Sequence, residues 1–143
     1  LTKRSNNLKN HPGQIAFPGG KKDQIDSSPI ETALRETQEE VGLNPKNVEI
    51  IASLPSHRTA TGFVITPYLG LINQPFSETL RQGEVDEIFT VPYEYILNEK
   101  NFSIKTRKWN GSQRSYYVVP YGPYYIWGAT ARILLNLSRA LSQ

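Results

Sequence analysis

The sequence contains no cysteine and no methionine among its 143 residues. Without cysteine, neither a disulfide framework nor a thiolate metal site is available, and the redox compartment is left undetermined. Because the chain opens on Leu1 without any methionine, we expect its N-terminus to be incomplete. The alternative is that modified methionines were omitted, which would shorten some spacings by one residue. No apolar run approaches membrane-spanning length, and residues 1–10 are too polar and basic for a signal peptide.

A strong excess of charge is also missing, since the net charge is only +3. So small an excess is typical of an ordinary solvated surface, and no nucleic-acid-binding motif accompanies it, so we expect neither nucleic acid nor membrane as a partner. Six basic side chains nevertheless precede the acidic segment: Lys3, Arg4, Lys9, His11, Lys21 and Lys22. Such a cationic strip beside an acidic segment suits a small polyanionic substrate held with metal ions.

The hydrophobic pattern predicts one domain, residues 1–143, of helices mixed with short strands. A helix is expected to begin with Ser28 as N-cap and Pro29 at the first position, to carry Glu31 in a capping box, and to stop at Gly42. Strands are expected at residues 14–17, 48–54, 63–72 and 88–91, with a helical turn at 92–97. A hairpin of 103–109 and 113–119 around Asn110-Gly111 and a helix at 126–141 complete the pattern. Together they predict an α/β fold with a mixed sheet and helices on both faces.

Three glutamates share one face of the first predicted helix. Glu36, Glu39 and Glu40 are spaced i, i+3 and i+4, and a helical wheel places them well away from the apolar stripe. Three carboxylates repel one another unless they are solvated or unless a hard divalent cation lies among them. For such a triplet taken alone, a solvated acidic face is the more common explanation.

The surrounding residues favour the metal. Residues 35–43 read R-E-T-Q-E-E-V-G-L and follow Gly19-Gly20. This combination resembles the Nudix box, G-x5-E-x7-R-E-U-x-E-E-x-G-U with U aliphatic. The upstream spacing departs from the box by one residue. Counting back from Arg35 places the upstream acid at Ser27, whereas counting forward from Gly20 places it at Asp26, and Asp23 is a further acid nearby. The resemblance implies a Nudix-type α/β/α sandwich with a mixed sheet and a hydrolase that depends on Mg²⁺ or Mn²⁺.

The roles of the helix residues follow from their spacing and from this resemblance. Glu36 and Glu40 lie one turn apart and are expected as the first pair of metal ligands. Glu39 is expected to be a third ligand or to act through water, and Arg35 is expected to orient a carboxylate by a bidentate contact. No Ser/His/Asp or Cys/His nucleophile is readable, so direct attack by a water that the metal orients or deprotonates is the favoured route.

A second acidic cluster follows at Glu84, Asp86 and Glu87, in a predicted loop before Ile88. In several Nudix enzymes a downstream loop acid completes the metal site or serves as base. We therefore expect Glu84 to take such a catalytic role, with a merely acidic loop as an equal alternative.

The upstream residues narrow the resemblance to the coenzyme A pyrophosphatase branch of the Nudix family. Residues 1–5 read L-T-K-R-S, and residues 13–20 read G-Q-I-A-F-P-G-G. The signature L-L-T-x-R-[SA]-x3-R-x3-G-x3-F-P-G-G is similar, with Lys9 here in place of the second arginine. The similarity continues at residues 54–55, 61–63 and 121–132 and so covers nearly the whole chain. It implies hydrolysis of coenzyme A or its derivatives to adenosine 3′,5′-bisphosphate and 4′-phosphopantetheine.

A substrate-binding set follows from the same resemblance and from the chemistry of phosphates. Basic side chains are expected to meet phosphates, and glycines are expected to admit them to the backbone: Arg4, Lys9, Arg58, Gly13, Gly19 and Gly20. Plain surface charge and simple chain turns are the alternatives.

Two rival functions stay open. One is hydrolysis of another nucleoside diphosphate derivative, such as ADP-ribose or a nucleotide sugar. The other is a Nudix-fold module that binds a nucleotide or RNA without turnover. A cytoplasmic location is expected because residues 141–143, L-S-Q, are not a peroxisomal address, although a peroxisome stays open as an alternative. A homodimer is left open as well.

Overall fold

The computed structural model describes residues 1–142, and Gln143, which ends the C-terminal tripeptide considered above, lies outside them. In chain order the strands are β1 (Thr2–Arg4), β2 (Ile15–Ala16), β3 (Val48–Ser53), β4 (His57–Arg58), β5 (Val64–Ile65), β6 (Tyr68–Ile72), β7 (Val85–Ile88), β8 (Ser103–Trp109) and β9 (Ser112–Val118). The α-helices are α1 (Pro29–Val41), α2 (Tyr93–Leu97) and α3 (Gly128–Leu141), and short 3-10 turns lie at Pro45–Asn47 and Glu99–Asn101.

The chain divides into two compact units. The first contains Leu1–Ser56 and Thr66–Phe89, and the second contains His57–Ile65 and Thr90 onward. The division of the chain does not test the expectation of a single domain, which stays a prediction. Within residues 1–142, no helix is long and apolar enough to cross a membrane.

In the first unit, β1 lies at the centre of a three-stranded antiparallel sheet in the order β2-β1-β7. Thr2 is opposite both Ala16 and Ile88, and the ladder to β7 shifts register between Lys3 and Arg4. β3 pairs with β6 in a separate antiparallel ladder. The buried apolar residues of this unit are Ile15, Val41, Leu43 and Val85. The sheet therefore places the start of the chain, including Arg4, beside the segment that leads into β7.

Helix α1 begins and ends as the sequence predicts. The Ser28 side chain accepts a hydrogen bond from the backbone N–H of Glu31 at 3.2 Å, and Pro29 is the first helical residue. The Glu31 carboxylate completes a variant of the capping box, because it accepts from Ser27 N–H at 2.8 Å rather than from the N-cap residue itself. Gly42 ends the helix with φ 80°, a left-handed conformation that favours glycine. These caps fix where the helix begins and ends.

In the second unit, the hairpin of β8 and β9 turns through Asn110 and Gly111, whose φ angles are 47° and 78°. Both values are positive, as a type I′ turn requires, so the predicted hairpin is confirmed. β4 and β5 form a second, shorter hairpin. Helix α3 supplies much of this unit's apolar interior, which includes Val118, Val119, Ile126, Ala131, Ile133, Leu134 and Leu135.

Several predicted boundaries were wrong. The strand expected at 88–91 is β7, which runs from Val85 to Ile88. The strand expected at 63–72 is two strands, β5 and β6, with Pro67 between them, as the missing N–H of proline favours. Helix α3 begins at Gly128 rather than at 126. Each ladder recorded within residues 1–142 is antiparallel.

Candidate active site

The strongest ionic contact of the first unit joins Arg35 on α1 to Asp26, which precedes the helix. Arg35 Nε donates to Asp26 Oδ1 and Arg35 Nη2 donates to Asp26 Oδ2, both at 2.9 Å. The Asp26 side chain is 3% exposed and that of Arg35 is 22% exposed. A bidentate, largely desolvated pair of this kind fixes the orientation of the guanidinium. The sequence predicted a bidentate contact for Arg35 but left its partner open.

The Asp26 carboxylate accepts two further hydrogen bonds. Its Oδ2 accepts from the backbone N–H of Asp23 at 2.8 Å and from the Thr32 hydroxyl at 3.0 Å. The hydrogen bond from Arg35, with those from Asp23 and Thr32, holds the pKa of Asp26 well below its usual range. The same contact raises the pKa of Arg35. Asp26 therefore stays ionised. Of the two positions to which the box spacing pointed, residues 26 and 27, it is the one whose side chain contacts Arg35.

Arg35 also reaches the acidic face of α1. Its Nη1 donates to Glu36 Oε1 at 3.1 Å and to Glu39 Oε1 at 3.3 Å. Thus one guanidinium, anchored on Asp26, holds two of the three predicted metal ligands. Both carboxylates are therefore oriented by Arg35, whose own position is fixed by Asp26.

The glycine pair lies against this face. A methyl group built on Gly20 would overlap Cδ and Oε1 of Glu36, whereas one built on Gly19 would meet no heavy atom within 4 Å. Gly20 therefore lies against the Glu36 carboxylate because it lacks a side chain.

Glu40 departs from the expected exposure. The helical wheel predicted that all three glutamates lie well away from the packed side, but Glu40 is buried, at 8% exposure. Burial raises its pKa to about 7, and the charges of Glu36 and Glu84 add to that effect. A hydrogen bond with the Gly19 backbone and the charge of Arg4 oppose it.

At the C-terminal end of α1, Arg81 binds two carboxylates. Its Nη1 donates to Glu39 Oε2 at 2.9 Å, and its Nε lies 3.3 Å from Glu84 Oε1. The backbone N–H of Arg81 donates to the Glu40 carbonyl at 3.0 Å, and that of Thr79 donates to the Val41 carbonyl at 3.0 Å. The 79–84 segment therefore satisfies carbonyls that the helix end leaves without helical partners.

The sequence reading missed Arg81. A usable signal was present, because Arg81 precedes Glu84 by three residues, a spacing that brings opposite charges together when the backbone turns locally. The predicted loop for the second acidic cluster was partly wrong, because Asp86 and Glu87 lie within β7 and only Glu84 precedes it. Glu87 is 3.0 Å from Lys3, and Asp86 accepts from the Asn6 backbone. The strand thus gives these two acids other partners and leaves Glu84 beside the acidic face.

The predicted phosphate-binding residues near the chain start lie along β1 and the loop that follows it. Arg4 donates from Nη2 to the Asn10 carbonyl at 3.3 Å, while its Nε is buried without a hydrogen-bond partner. A buried N–H of this kind is costly unless an acceptor is supplied, so Arg4 has unused capacity for an anion. Gly13, at φ 68°, donates from its backbone N–H to the Arg4 carbonyl at 3.1 Å, and Lys9 is exposed.

Arg58 lies in the second unit. It is an exposed residue of β4, where it is opposite Val64. Its neighbour His57 has a pKa lowered by burial and by the charge of Arg132. The expectation that Arg58 binds substrate stays a prediction.

The charges of the acidic face are suited to a divalent cation. Five carboxylates (Asp26, Glu36, Glu39, Glu40 and Glu84) are accompanied by three guanidiniums (Arg4, Arg35 and Arg81), which leaves two negative charges when all are ionised. Within residues 1–142, no three acidic or histidine side chains converge closely enough to hold a metal as they stand. The oxygen donors and the charge balance fit a hard cation, whose binding would draw the carboxylates together.

Comparison with known proteins gives a consistent result. A family model described as the NUDIX domain matches residues 1–110. The chain is 38% identical to the Nudix hydrolase NudL of Enterobacter sp. (strain 638) over 138 residues, which are 96% of this chain and 72% of that protein. It is 37% identical to NudL of Pectobacterium atrosepticum over 142 residues, 99% of this chain and 74% of that protein. NudL of Salmonella paratyphi B is 38% identical over 138 residues, with coverage of 96% and 72%. These names state a hydrolase and no substrate.

Proposed function

Because this chain belongs to the Nudix family of hydrolases, which act on diphosphate bonds, we propose that it hydrolyses the diphosphate of coenzyme A or of a coenzyme A derivative. Membership confirms the family that residues 13–43 indicated, the α/β class of fold and the prediction of an enzyme. It fits a small-molecule substrate. The choice of coenzyme A, a cytoplasmic location and a homodimer go further and are proposals.

Nudix hydrolases use divalent metal ions, and Mg²⁺ or Mn²⁺ is the cofactor proposed here. Glu36 and Glu40 would hold the ion, with Glu39 as a further ligand or acting through water. When bound, such a cation neutralises charge on a diphosphate and makes a water molecule more acidic. The observation that carries this assignment is the pairing of Glu36 with a buried Glu40 whose pKa the Glu36 charge helps to raise. A buried carboxylate beside a second negative charge favours a shared cation.

The residues around this pair have separate tasks. Arg35, fixed on Asp26, keeps the Glu36 carboxylate oriented through the contact at 3.1 Å. Glu84 lies close enough to Glu40 to affect the pKa of Glu40. We assign the Glu84 carboxylate the role of general base, which takes a proton from the attacking water. Water adds to one phosphorus while the bridging oxygen leaves with the other, so two phosphate monoesters result. No covalent intermediate with the protein is required.

The basic residues support a substrate with more phosphate than a plain diphosphate. Coenzyme A carries a 3′-phosphate besides its diphosphate. Arg4 has a buried Nε without a partner and lies near enough to Glu40 to affect that pKa, so we assign it to a phosphate of the substrate. Lys9 and Arg58 are proposed as weaker contacts, while Gly13, Gly19 and Gly20 would admit phosphate oxygens to the backbone.

The test is a comparison of coenzyme A, ADP-ribose and NADH as substrates, each with and without Mg²⁺. We expect coenzyme A to be hydrolysed fastest, only with metal, and to yield adenosine 3′,5′-bisphosphate and 4′-phosphopantetheine. Faster hydrolysis of ADP-ribose would move the assignment to another nucleoside diphosphate derivative. Tight nucleotide binding without any turnover would identify a binding module instead.

A further inference from the structure

We propose that Arg81 is a positioning residue that serves as the internal counter-ion of the acidic face, and that a divalent cation bound there competes with its guanidinium for Glu39 and Glu84. This inference rests on the metal role proposed above for α1. It adds a residue outside the nine-residue string that indicated the family, and it assigns that residue an effect on metal affinity.

The contacts of Glu39 carry the argument. One of its carboxylate oxygens lies 3.3 Å from Arg35 Nη1, and the other lies 2.9 Å from Arg81 Nη1. Both oxygens are therefore engaged by guanidiniums. Glu84 is likewise held, 3.3 Å from Arg81 Nε. In this arrangement a guanidinium competes with a cation for the oxygens of each carboxylate. This agrees with the finding that the acids described in residues 1–142 do not converge on a metal position.

Of the two arginines, Arg81 is the one whose side chain can leave. It is 45% exposed, and its partners Glu39 and Glu84 are 41% and 40% exposed. Ion pairs this exposed contribute little net stability because water and salt screen them. Arg35, by contrast, is anchored by two hydrogen bonds to the buried Asp26. A cation that competes for Glu39 would therefore displace Arg81 before Arg35.

The backbone of Arg81 stays in place when its side chain moves. Its N–H donates to the Glu40 carbonyl, and its own carbonyl accepts from the N–H groups of Glu84 and Val85, each at 3.1 Å. These contacts do not involve the guanidinium. Movement of the side chain therefore exposes Glu39 and Glu84 without detaching the 79–84 segment from the end of α1.

The sign of the effect follows from Coulomb's law. A positive charge within salt-bridge distance of two acids weakens their attraction for a divalent cation. Replacing Arg81 with a neutral residue removes both the repulsion and the competition for Glu39. A merely structural residue would have the opposite effect, because loosening the acidic face would weaken metal binding.

The experiment measures Mn²⁺ binding by isothermal titration calorimetry and electron paramagnetic resonance in the whole protein. For Arg81→Gln we expect affinity to rise on the order of fivefold, since removing one charge a few ångströms from a divalent ion changes binding by roughly that much in a screened setting. Arg81→Lys, which keeps the charge, should stay near the unmodified affinity. Arg139→Gln is the matched control, because Arg139 forms an exposed pair with Glu99 in the second unit.

A double-variant cycle links the effect to its partner. In a Glu39→Gln background, replacing Arg81 should tighten Mn²⁺ binding less than in the unmodified protein. Unchanged or weaker binding in Arg81→Gln, with the protein folded and the unmodified chain binding Mn²⁺ normally, would overturn the inference for Arg81 alone. If the unmodified chain bound no Mn²⁺, both this inference and the proposed function would fall.

Discussion

Arg35 and Arg81 both contact Glu39, but their surroundings differ. Arg35 is held by a bidentate contact with Asp26, whose side chain is 3% exposed and has two further donors. Arg81 spans two glutamates that are each about 40% exposed. The first contact is desolvated and fully hydrogen-bonded, so it fixes geometry, whereas the second is open to solvent and exchangeable. The difference indicates that the acidic face of α1 is supported by one fixed arginine, Arg35, and neutralised by a second arginine, Arg81, whose side chain can be displaced.

The largest expected effect is the loss of activity when Glu36 or Glu40 is neutralised. Glu36→Gln or Glu40→Gln should lower kcat/KM for the diphosphate substrate by at least about a hundredfold, because each change removes an anionic oxygen donor from the proposed metal site. Circular dichroism should show an unchanged fold. Glu49→Gln, at an exposed position of β3, is the control. Unchanged turnover in both variants would refute the metal role of α1.

A smaller loss of activity is expected when the Glu36 carboxylate is displaced but keeps its charge. Gly20→Ala places a methyl group against Cδ and Oε1 of Glu36, so the carboxylate must shift. We expect kcat/KM to fall about ten- to hundredfold, since a displacement of about 1 Å in an active site has that effect. Thermal stability should change little because the displaced atoms end a flexible side chain. Gly19→Ala, which meets no heavy atom within 4 Å, should leave the Glu36 carboxylate in place and cost less activity than Gly20→Ala, and equal losses in both would contradict the account.

The two arginine contacts should also differ in their effects on stability. Asp26→Asn leaves Arg35 without its charged partner and should lower the thermal midpoint by several degrees, as expected when one member of a desolvated pair is neutralised. Arg81→Gln should reduce the free energy of unfolding by less than about 1 kcal/mol, the usual range for exposed pairs. Differential scanning calorimetry without metal measures both. A larger loss from Arg81→Gln would reverse the comparison.

The last expected effect is a pH dependence of the stability of the metal-free protein. The pKa of Glu40 is raised to about 7, first by burial and then by the charge of Glu36, with a smaller contribution from Glu84 against the opposing charge of Arg4. A carboxyl whose pKa is raised in the folded state binds more protons there than in the unfolded chain. Its contribution to the free energy of unfolding is therefore complete below about pH 4.5 and is lost as pH rises to about 7.

Urea unfolding at a series of pH values tests this slope. In Glu40→Gln the slope between those pH values should flatten, since the substituted amide does not titrate. Saturating Mg²⁺ should also flatten it, because a bound cation favours the ionised carboxylate at lower pH. A slope that persists unchanged in Glu40→Gln would assign the effect to another group.

Local signals in the sequence predicted much of this structure. The Ser28 cap, Pro29 and Gly42 define α1, and the Asn110-Gly111 pair defines its hairpin, because each depends on residues next to it in the chain. β1 was not predicted, since its residues Thr2–Arg4 are polar and gain their place only by pairing with β2 and β7. Strand pairing of this kind depends on tertiary contacts that local propensity does not record.

The sequence likewise predicted some features of the candidate site and missed others. The spacing of Glu36, Glu39 and Glu40 placed them on one helix and predicted an orienting role for Arg35. The burial of Glu40 was missed, because a helical wheel shows only which residues share a face and not what packs on it. Arg81 was missed because its partner Glu39 is 42 residues away in the chain. The sequence left the upstream acid open between residues 26 and 27, and the structure adds that Asp26 contacts Arg35.

The most direct test of the central claim is a crystal structure with Mn²⁺ and a non-hydrolysable coenzyme A analogue, with the metal located by anomalous scattering. The account predicts that Mn²⁺ lies between Glu36 and Glu40 and contacts the diphosphate of the analogue. Mn²⁺ bound away from α1, or no Mn²⁺ at the diphosphate, would contradict it.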